Sequence, residues 1–208
     1  SEYFDGKWAL VLGASSGFGE AAVRRLAEAG LNIFGVHMDR KAGMAHVEEI
    51  QSDLKKMGRE FVFFNMNAAD EEKRAEVIKT IQERAPGKVH ILLHSLAFGA
   101  LKPMVGEDTL TKAQIEMTMD VMANSLVYWT QDLFKNKLFA PKARVYAMTS
   151  AGSLRAWKSY GAVSAAKSAL ESYCRQLALE MGPFGICVNA IMAGVTDTPA
   201  LRKIPGND

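Results

Sequence analysis

The 208 residues carry 25 Lys and Arg against 23 Asp and Glu, a formal net charge of +2, with 49% hydrophobic and 23% charged residues. That mix suits one soluble globular domain over residues 1–208, and the absence of long single-sign runs argues against nucleic-acid or membrane-surface binding and for a small-molecule partner. No stretch reaches the ~18 apolar residues of a membrane span, and Ser1 to Lys7 lack a basic start with an apolar run behind it, so the protein is expected to be cytoplasmic.

Trp8 to Leu12 is an apolar run of strand length that passes straight into Gly13-Ala14-Ser15-Ser16-Gly17-Phe18-Gly19, with helical periodicity over Gly17 to Ala29 and a stop at Gly30. Strand-like runs follow at Asn32 to Val36, Phe61 to Phe64, Val89 to Leu93, Arg144 to Met148 and Ile186 to Ile191. Between them lie helical patterns over Gly43 to Met57, Asp70 to Arg84, Thr111 to about Phe134, and Ser159 to Met181, with Gly58 and Gly182 as further stop signals. Strands alternating with helices are βαβ units. Because the strand runs are nearly continuous in apolar character, both sheet faces should be covered, which predicts an α/β, Rossmann-like, doubly wound parallel sheet. The chain ends at Ile204-Pro205-Gly206-Asn207-Asp208, soon after the sixth strand. Sheets of this kind usually carry a further helix and strand, so this C-terminal helix and last strand are expected to be absent from the sequence.

Cys174 and Cys187 fall in a helical and a strand-like pattern, which predicts buried free thiols in a reducing compartment. His37, His46, His90 and His94 show no ligand-like spacing, so no catalytic metal is expected. Met117, Met119 and Met122 read as core and interface packing.

The first strand-to-helix turn is the strongest chemical signal. Glycines let the backbone turn tightly and approach a ligand, and the new helix presents unpaired N–H groups and the positive end of its dipole to a pyrophosphate. Placement between the first strand and the first helix is what makes this glycine pattern a dinucleotide-binding turn, with Gly13, Ser15, Ser16, Gly17, Phe18 and Gly19 as its contacts.

A second signal lies after the fifth strand, where Ser150 precedes Tyr160 and Lys167. A phenol with a reference pKa near ~10 is a poor acid at neutral pH, and a nearby ammonium that stabilises phenolate makes it a better proton donor and acceptor. Seven residues make about two helical turns, which places Tyr160 and Lys167 on one face if the helix already includes Tyr160. The same spacing also suits a core tyrosine beside a lysine whose ammonium reaches solvent.

The Gly-x-x-x-Gly-x-Gly turn resembles that of the short-chain dehydrogenase/reductase family, and the resemblance covers essentially the whole chain. That resemblance places His37 at the usually acidic position that meets the adenosine ribose, and Arg40, followed by Lys41, where it would fork a 2′-phosphate, which implies NADPH, with NADH possible. Asn67 and Ala68 stand where the family contacts adenine, although Asp is commoner where Asn67 is. Ser95, Leu96 and Ala97 follow the fourth strand along the cofactor. Gly194, Val195, Thr196 and Thr198, just beyond the sixth strand, stand where the family meets the nicotinamide carboxamide. From Pro199 onward the composition suits a lid.

The common family pattern is Tyr-x-x-x-Lys, with a serine thirteen positions before the tyrosine. Here Val163 holds the tyrosine position, Ser150 lies thirteen before it, and the tyrosine has moved one turn earlier, to Tyr160. His94-Ser95 replaces the usual Asn-Asn, and Met122 stands where an asparagine completes the usual tetrad, with Asn124 near but out of register. These departures resemble the enoyl-[acyl-carrier-protein] reductases, most closely an NADPH-preferring isoform that keeps the glycine-rich turn. Such an enzyme reduces the 2,3 double bond of a trans-2-enoyl thioester, on acyl carrier protein or another carrier, with Tyr160, Lys167 and Ser150 as catalytic residues; Ser150 either bonds the reacting group or caps a turn. Alternatives are a carbonyl or 3-ketoacyl reductase of the same family and a non-catalytic dinucleotide-binding sensor. Family analogy also implies a homotetramer or homodimer through the fourth and fifth helices, where Leu126, Tyr128, Trp129, Leu133 and Phe134 are large apolar groups.

Overall fold

The computed structural model describes residues 2–205; Ser1 and the last three residues of the chain end discussed above, Gly206 to Asp208, lie outside the described residues. Six strands form one sheet: β1 (Trp8–Leu12), β2 (Asn32–His37), β3 (Phe61–Asn65), β4 (Val89–His94), β5 (Phe139–Thr149) and β6 (Cys187–Met192). Their order is β3-β2-β1-β4-β5-β6 and every neighbouring pair is parallel. The chain winds outward from β1 to β3, then crosses back to β4. This reversal leaves a crevice at the carboxyl ends of β1 and β4, the place where open α/β sheets hold ligands.

β1 shows how the two faces are built. Trp8, Leu10 and Leu12 join one buried cluster, while Ala9 and Val11, pointing the other way, join a second. The first cluster is closed by α3 (Glu71–Arg84), α5 (Ser125–Lys135) and α6 (Gly161–Met181), and the second by α1 (Gly17–Ala29) and α2 (Met44–Lys56). Trp8 stacks on Phe34 across β1 and β2, with ring centroids 4.1 Å apart. Leu126, Trp129 and Leu133 belong to the first cluster, so the apolar groups expected to face another subunit are largely core; only Phe134 and Tyr128 keep appreciable exposure. Met122 is core, and Met117 and Met119 pack against it.

The two-sided coverage expected for every strand fails at the sheet edge. In β6 only Val188 is buried, and Cys187, expected to be a buried thiol, is exposed there; Cys174 in α6 is buried, and burial raises its thiol to about 11. α6 ends at Met181 and Gly182 caps it, at the expected place. Gly182 keeps right-handed helical angles, the chain continues through a 3-10 turn, and Gly185, at φ 73°, supplies the left-handed turn.

The single helix expected from Thr111 to about Phe134 is interrupted. α4 (Lys112–Met119) leads into one π turn, Asp120–Asn124, before α5 begins. The cause is local competition for a carbonyl. The Ser125 hydroxyl donates to Val121 O at 2.7 Å, and the Ser125 N–H reaches back five residues to Asp120 O. Among the described residues no helix is long and apolar enough to cross a membrane.

Candidate active site

A cavity of about 460 Å³ opens at the carboxyl edge of β1, between the ends of β2, β3 and β4. Gly13, Ser15, Ser16, Gly17 and Phe18 form one wall. A side chain at Gly13 would put its Cβ 2.0 Å from Ser95 O, and one at Gly19 would come 1.8 Å from Gly13 O. Gly13 and Gly17 also have φ of 91° and 55°, in the left-handed region. Gly19 is therefore not a lining residue; it lets α1 approach the turn. Ser16 is the N-cap of α1 and its side chain makes no capping bond, so the first N–H groups of the helix are left for an anion. A wall of bare backbone donors at a helix N-terminus, too close-packed for Cβ atoms, fits the pyrophosphate of a dinucleotide.

Asn67 and Ala68, beyond β3, line the cavity, and Trp129 fixes this corner by donating from Nε1 to Ala68 O at 2.8 Å. Ser95, Leu96 and Ala97 line the side beyond β4. His37, at the end of β2, lines it too, with Nδ1 2.9 Å from an Asp39 carboxylate oxygen. Arg40 is exposed and lies outside the cavity lining, while Asp39 is in it, drawn inward by His37 and by reciprocal bonds between its backbone and Asn65. Gly194, Val195 and Thr196 also lie outside the lining, with Val195 90% exposed; beyond β6 it is Thr198, against Gly17, that reaches the cavity.

Folding adds residues that the sequence reading did not place in the site. His46 on α2 lines the cavity and meets Glu20 of α1 at 2.8 Å, which raises its basicity. Val121, Phe98 and Lys203 line it as well. Nothing in spacing along the chain links these positions; each arrives from a separate element.

Tyr160 is the N-cap residue of α6 rather than a member of it, at φ −104° and ψ 3°. The condition for a shared helix face with Lys167 is not met. Its ring packs on Gly152, where a Cβ would lie 2.3 Å from the ring, and edge-on to Trp157 at 5.9 Å. Its hydroxyl lies 3.4 Å from Ser150 Oγ, and the same Ser150 oxygen accepts from Gly152 N at 3.3 Å, so Ser150 both caps its turn and faces the phenol. The usual tyrosine and asparagine positions are closed: a Cβ on Gly99 would meet Met122 Sδ and Val163 Cγ2 at 2.8 Å each. The loop after β4 thus packs closely on Val163 and Met122, and Tyr160 is the phenol that reaches the serine.

Lys167 is buried and donates from Nζ to Met148 O at 2.6 Å and Leu96 O at 3.3 Å, at the ends of β5 and β4. Neither bond is to Tyr160. Burial pushes the Lys167 ammonium down to about 8. Because the charged form is the one that favours phenolate, kcat/KM is expected to fall as pH rises through about 8. A profile flat beyond that point, measured with the free enzyme and dilute substrate, would show that the charge is not used.

His94 lies wholly inside, with Nε2 2.8 Å from Ser125 Oγ. Since the Ser125 proton goes to Val121 O, the imidazole must donate, and burial first, then the Lys167 charge, lowers it to about 3. It is neutral at any working pH and ties β4 to the π turn. Asn124 accepts from Tyr173 OH on α6 at 2.9 Å, a structural use of the asparagine that stood out of register.

A sequence profile described as enoyl-(acyl carrier protein) reductase matches residues 13–208. Among curated relatives, an uncharacterized oxidoreductase, YjdA, of Bacillus subtilis is 30% identical over 92% of this chain and 76% of its own. An NADH-dependent enoyl-[acyl-carrier-protein] reductase, FabI, of a Nostoc species is 28% identical (97% and 77%), and a 3-oxoacyl-[acyl-carrier-protein] reductase, FabG, of Pseudomonas aeruginosa 27% (96% and 78%). A short-chain dehydrogenase from Burkholderia cenocepacia, solved with NADP, superposes with a TM-score of 0.82 at 25% identity, over 95% of this chain and 77% of that one. With its parallel sheet, its dinucleotide cradle and these relatives, the chain belongs to the short-chain dehydrogenase/reductase superfamily of NAD(P)-dependent oxidoreductases.

Proposed function

We propose that the protein reduces the 2,3 double bond of trans-2-enoyl thioesters, carried on acyl carrier protein or a similar carrier. The observation that carries this reading is the closure of the usual tyrosine and asparagine positions by Val163, Met122 and Gly99, with Tyr160 set against Ser150 in their stead. When bound, a reduced dinucleotide would supply the hydride for the β-carbon, and the α-carbon would take its proton from water. Between the two steps negative charge develops on the thioester oxygen, where the Tyr160 hydroxyl donates a hydrogen bond. The buried Lys167 ammonium makes that hydroxyl a better donor, and Ser150, beside it, holds the phenol or adds a second donor. The loop after β4 is pinned by Ala100 N to Thr118 Oγ1 at 2.9 Å.

The retained Ser150 and glycine-rich turn favour a second reading, reduction of a 3-ketoacyl thioester, an activity named for the Pseudomonas relative. Dinucleotide oxidation followed with crotonyl and longer enoyl thioesters, against the matching 3-ketoacyl thioesters, separates the two. Enoyl turnover supports the first; ketoacyl turnover alone replaces it.

NADPH is the proposed reductant, through Arg40 swinging onto a 2′-phosphate; NADH is the alternative that the lining carboxylate of Asp39 favours by repelling that phosphate. If Arg40 serves this role, Arg40→Ala raises the NADPH KM by about tenfold, the worth of one charge-assisted bond, and leaves NADH unchanged. An unchanged ratio moves the assignment to NADH.

A further inference from the structure

The cavity has one unassigned charge. Besides His37 and His46, each tied to a carboxylate, the charged side chains lining it are Asp39 and Lys203. Lys203 ends the short 3-10 turn Leu201–Lys203, which is held at both ends: Leu201 N donates to Thr198 Oγ1 at 3.2 Å with Thr198 set against Gly17, and Ile204 packs on the core. Its neighbour Arg202 is held by both oxygens of Asp197 at 2.7 Å, whereas Lys203 has no ion-pair partner among the described residues. A free ammonium is thus carried on an anchored turn that faces the phosphate cradle.

The charge balance says what it meets. A dinucleotide brings at least two negative charges into a cavity that already holds Asp39. The cradle offers backbone N–H groups and a helix end worth about half a positive charge, which leaves a deficit. We propose that Lys203 is a phosphate-binding residue, its ammonium pairing with a phosphate of the bound dinucleotide and so holding the 198–204 segment over the cradle. The proposal rests on the dinucleotide cradle alone and is independent of which acyl thioester is reduced.

The test is dinucleotide affinity, by titration calorimetry, of the wild-type chain, Lys203→Gln, Lys203→Arg and the neighbouring control Arg202→Gln, each with NADPH and with NADH. Lys203→Gln is expected to weaken binding about tenfold at low salt, less at high salt, with Lys203→Arg recovering most of it. Equal weakening for both dinucleotides assigns the contact to the pyrophosphate, and weakening for NADPH alone assigns it to the 2′-phosphate. Wild-type affinity for both in Lys203→Gln, or an equal loss in Arg202→Gln, overturns the proposal. Binding by the wild-type chain in the same titrations separates that failure from a failure of the cradle itself.

Discussion

Replacing Tyr160 by phenylalanine is expected to lower turnover of the thioester substrate by about 10²- to 10⁴-fold, the range for loss of a positioned proton donor. The phenylalanine keeps the ring against Gly152 and Trp157, so thermal stability and dinucleotide affinity should stay as in the wild type. Only the hydroxyl facing Ser150 is lost. The measurement is steady-state kinetics with calorimetric dinucleotide binding alongside. Activity within tenfold of wild type would remove the phenol from the reaction, and a matching loss of dinucleotide affinity would make its role structural. The conclusion does not depend on whether the substrate is an enoyl or a ketoacyl thioester.

The second large effect is expected at Gly19. Its added Cβ would stand 1.8 Å from Gly13 O and 2.8 Å from Gly13 C, both backbone atoms, so no flexible side chain can give way. Either the start of α1 retreats or the turn opens, at about 1–3 kcal/mol of overpacking, and both responses spoil the row of donors. Gly19→Ala should bind dinucleotide at least about a hundredfold more weakly and lose several degrees of Tm, on the order of 2–4 °C per kcal/mol for a chain of this size. Gly17→Ala makes a useful contrast: its Cβ would meet only Thr198, at 3.6 Å, although the positive φ strains the alanine. Undiminished dinucleotide affinity in Gly19→Ala would mean that this turn is not the cradle.

Where structure follows from neighbours in the chain, the sequence is easily read. The β1 strand, its glycine turn and α1 fall where the pattern puts them because the signal and the geometry share one short segment. The π turn was invisible because its cause is a hydroxyl competing for a carbonyl, with His94 from another strand bonded to that hydroxyl. Gly182 and Gly185 are two glycines three residues apart, and only the backbone angles show that Gly182 stays right-handed at the end of α6 while Gly185 takes the left-handed turn. At the site, register with the family carried Ser150 and Tyr160 to within 3.4 Å of each other. It did not show that a hydrogen bond from His37 and the Asn65 pairing turn Asp39 into the cavity lining beside Arg40. It had no access to His46 or Lys203, which reach the cavity from α2 and from beyond β6.

The π turn also constrains how this helix can vary in length. One residue turns an α-helix by about 100°, and the wider π turn takes up one residue without passing that rotation on, so a straight α-helix over all the residues present would swing everything after Asn124 by that angle. Leu126, Trp129 and Leu133 would leave the core together, and the indole bond to Ala68 O would go with them. The π turn therefore keeps the bond to Ala68 O in register, and losing its one additional residue would leave a straight helix with the same face to the core.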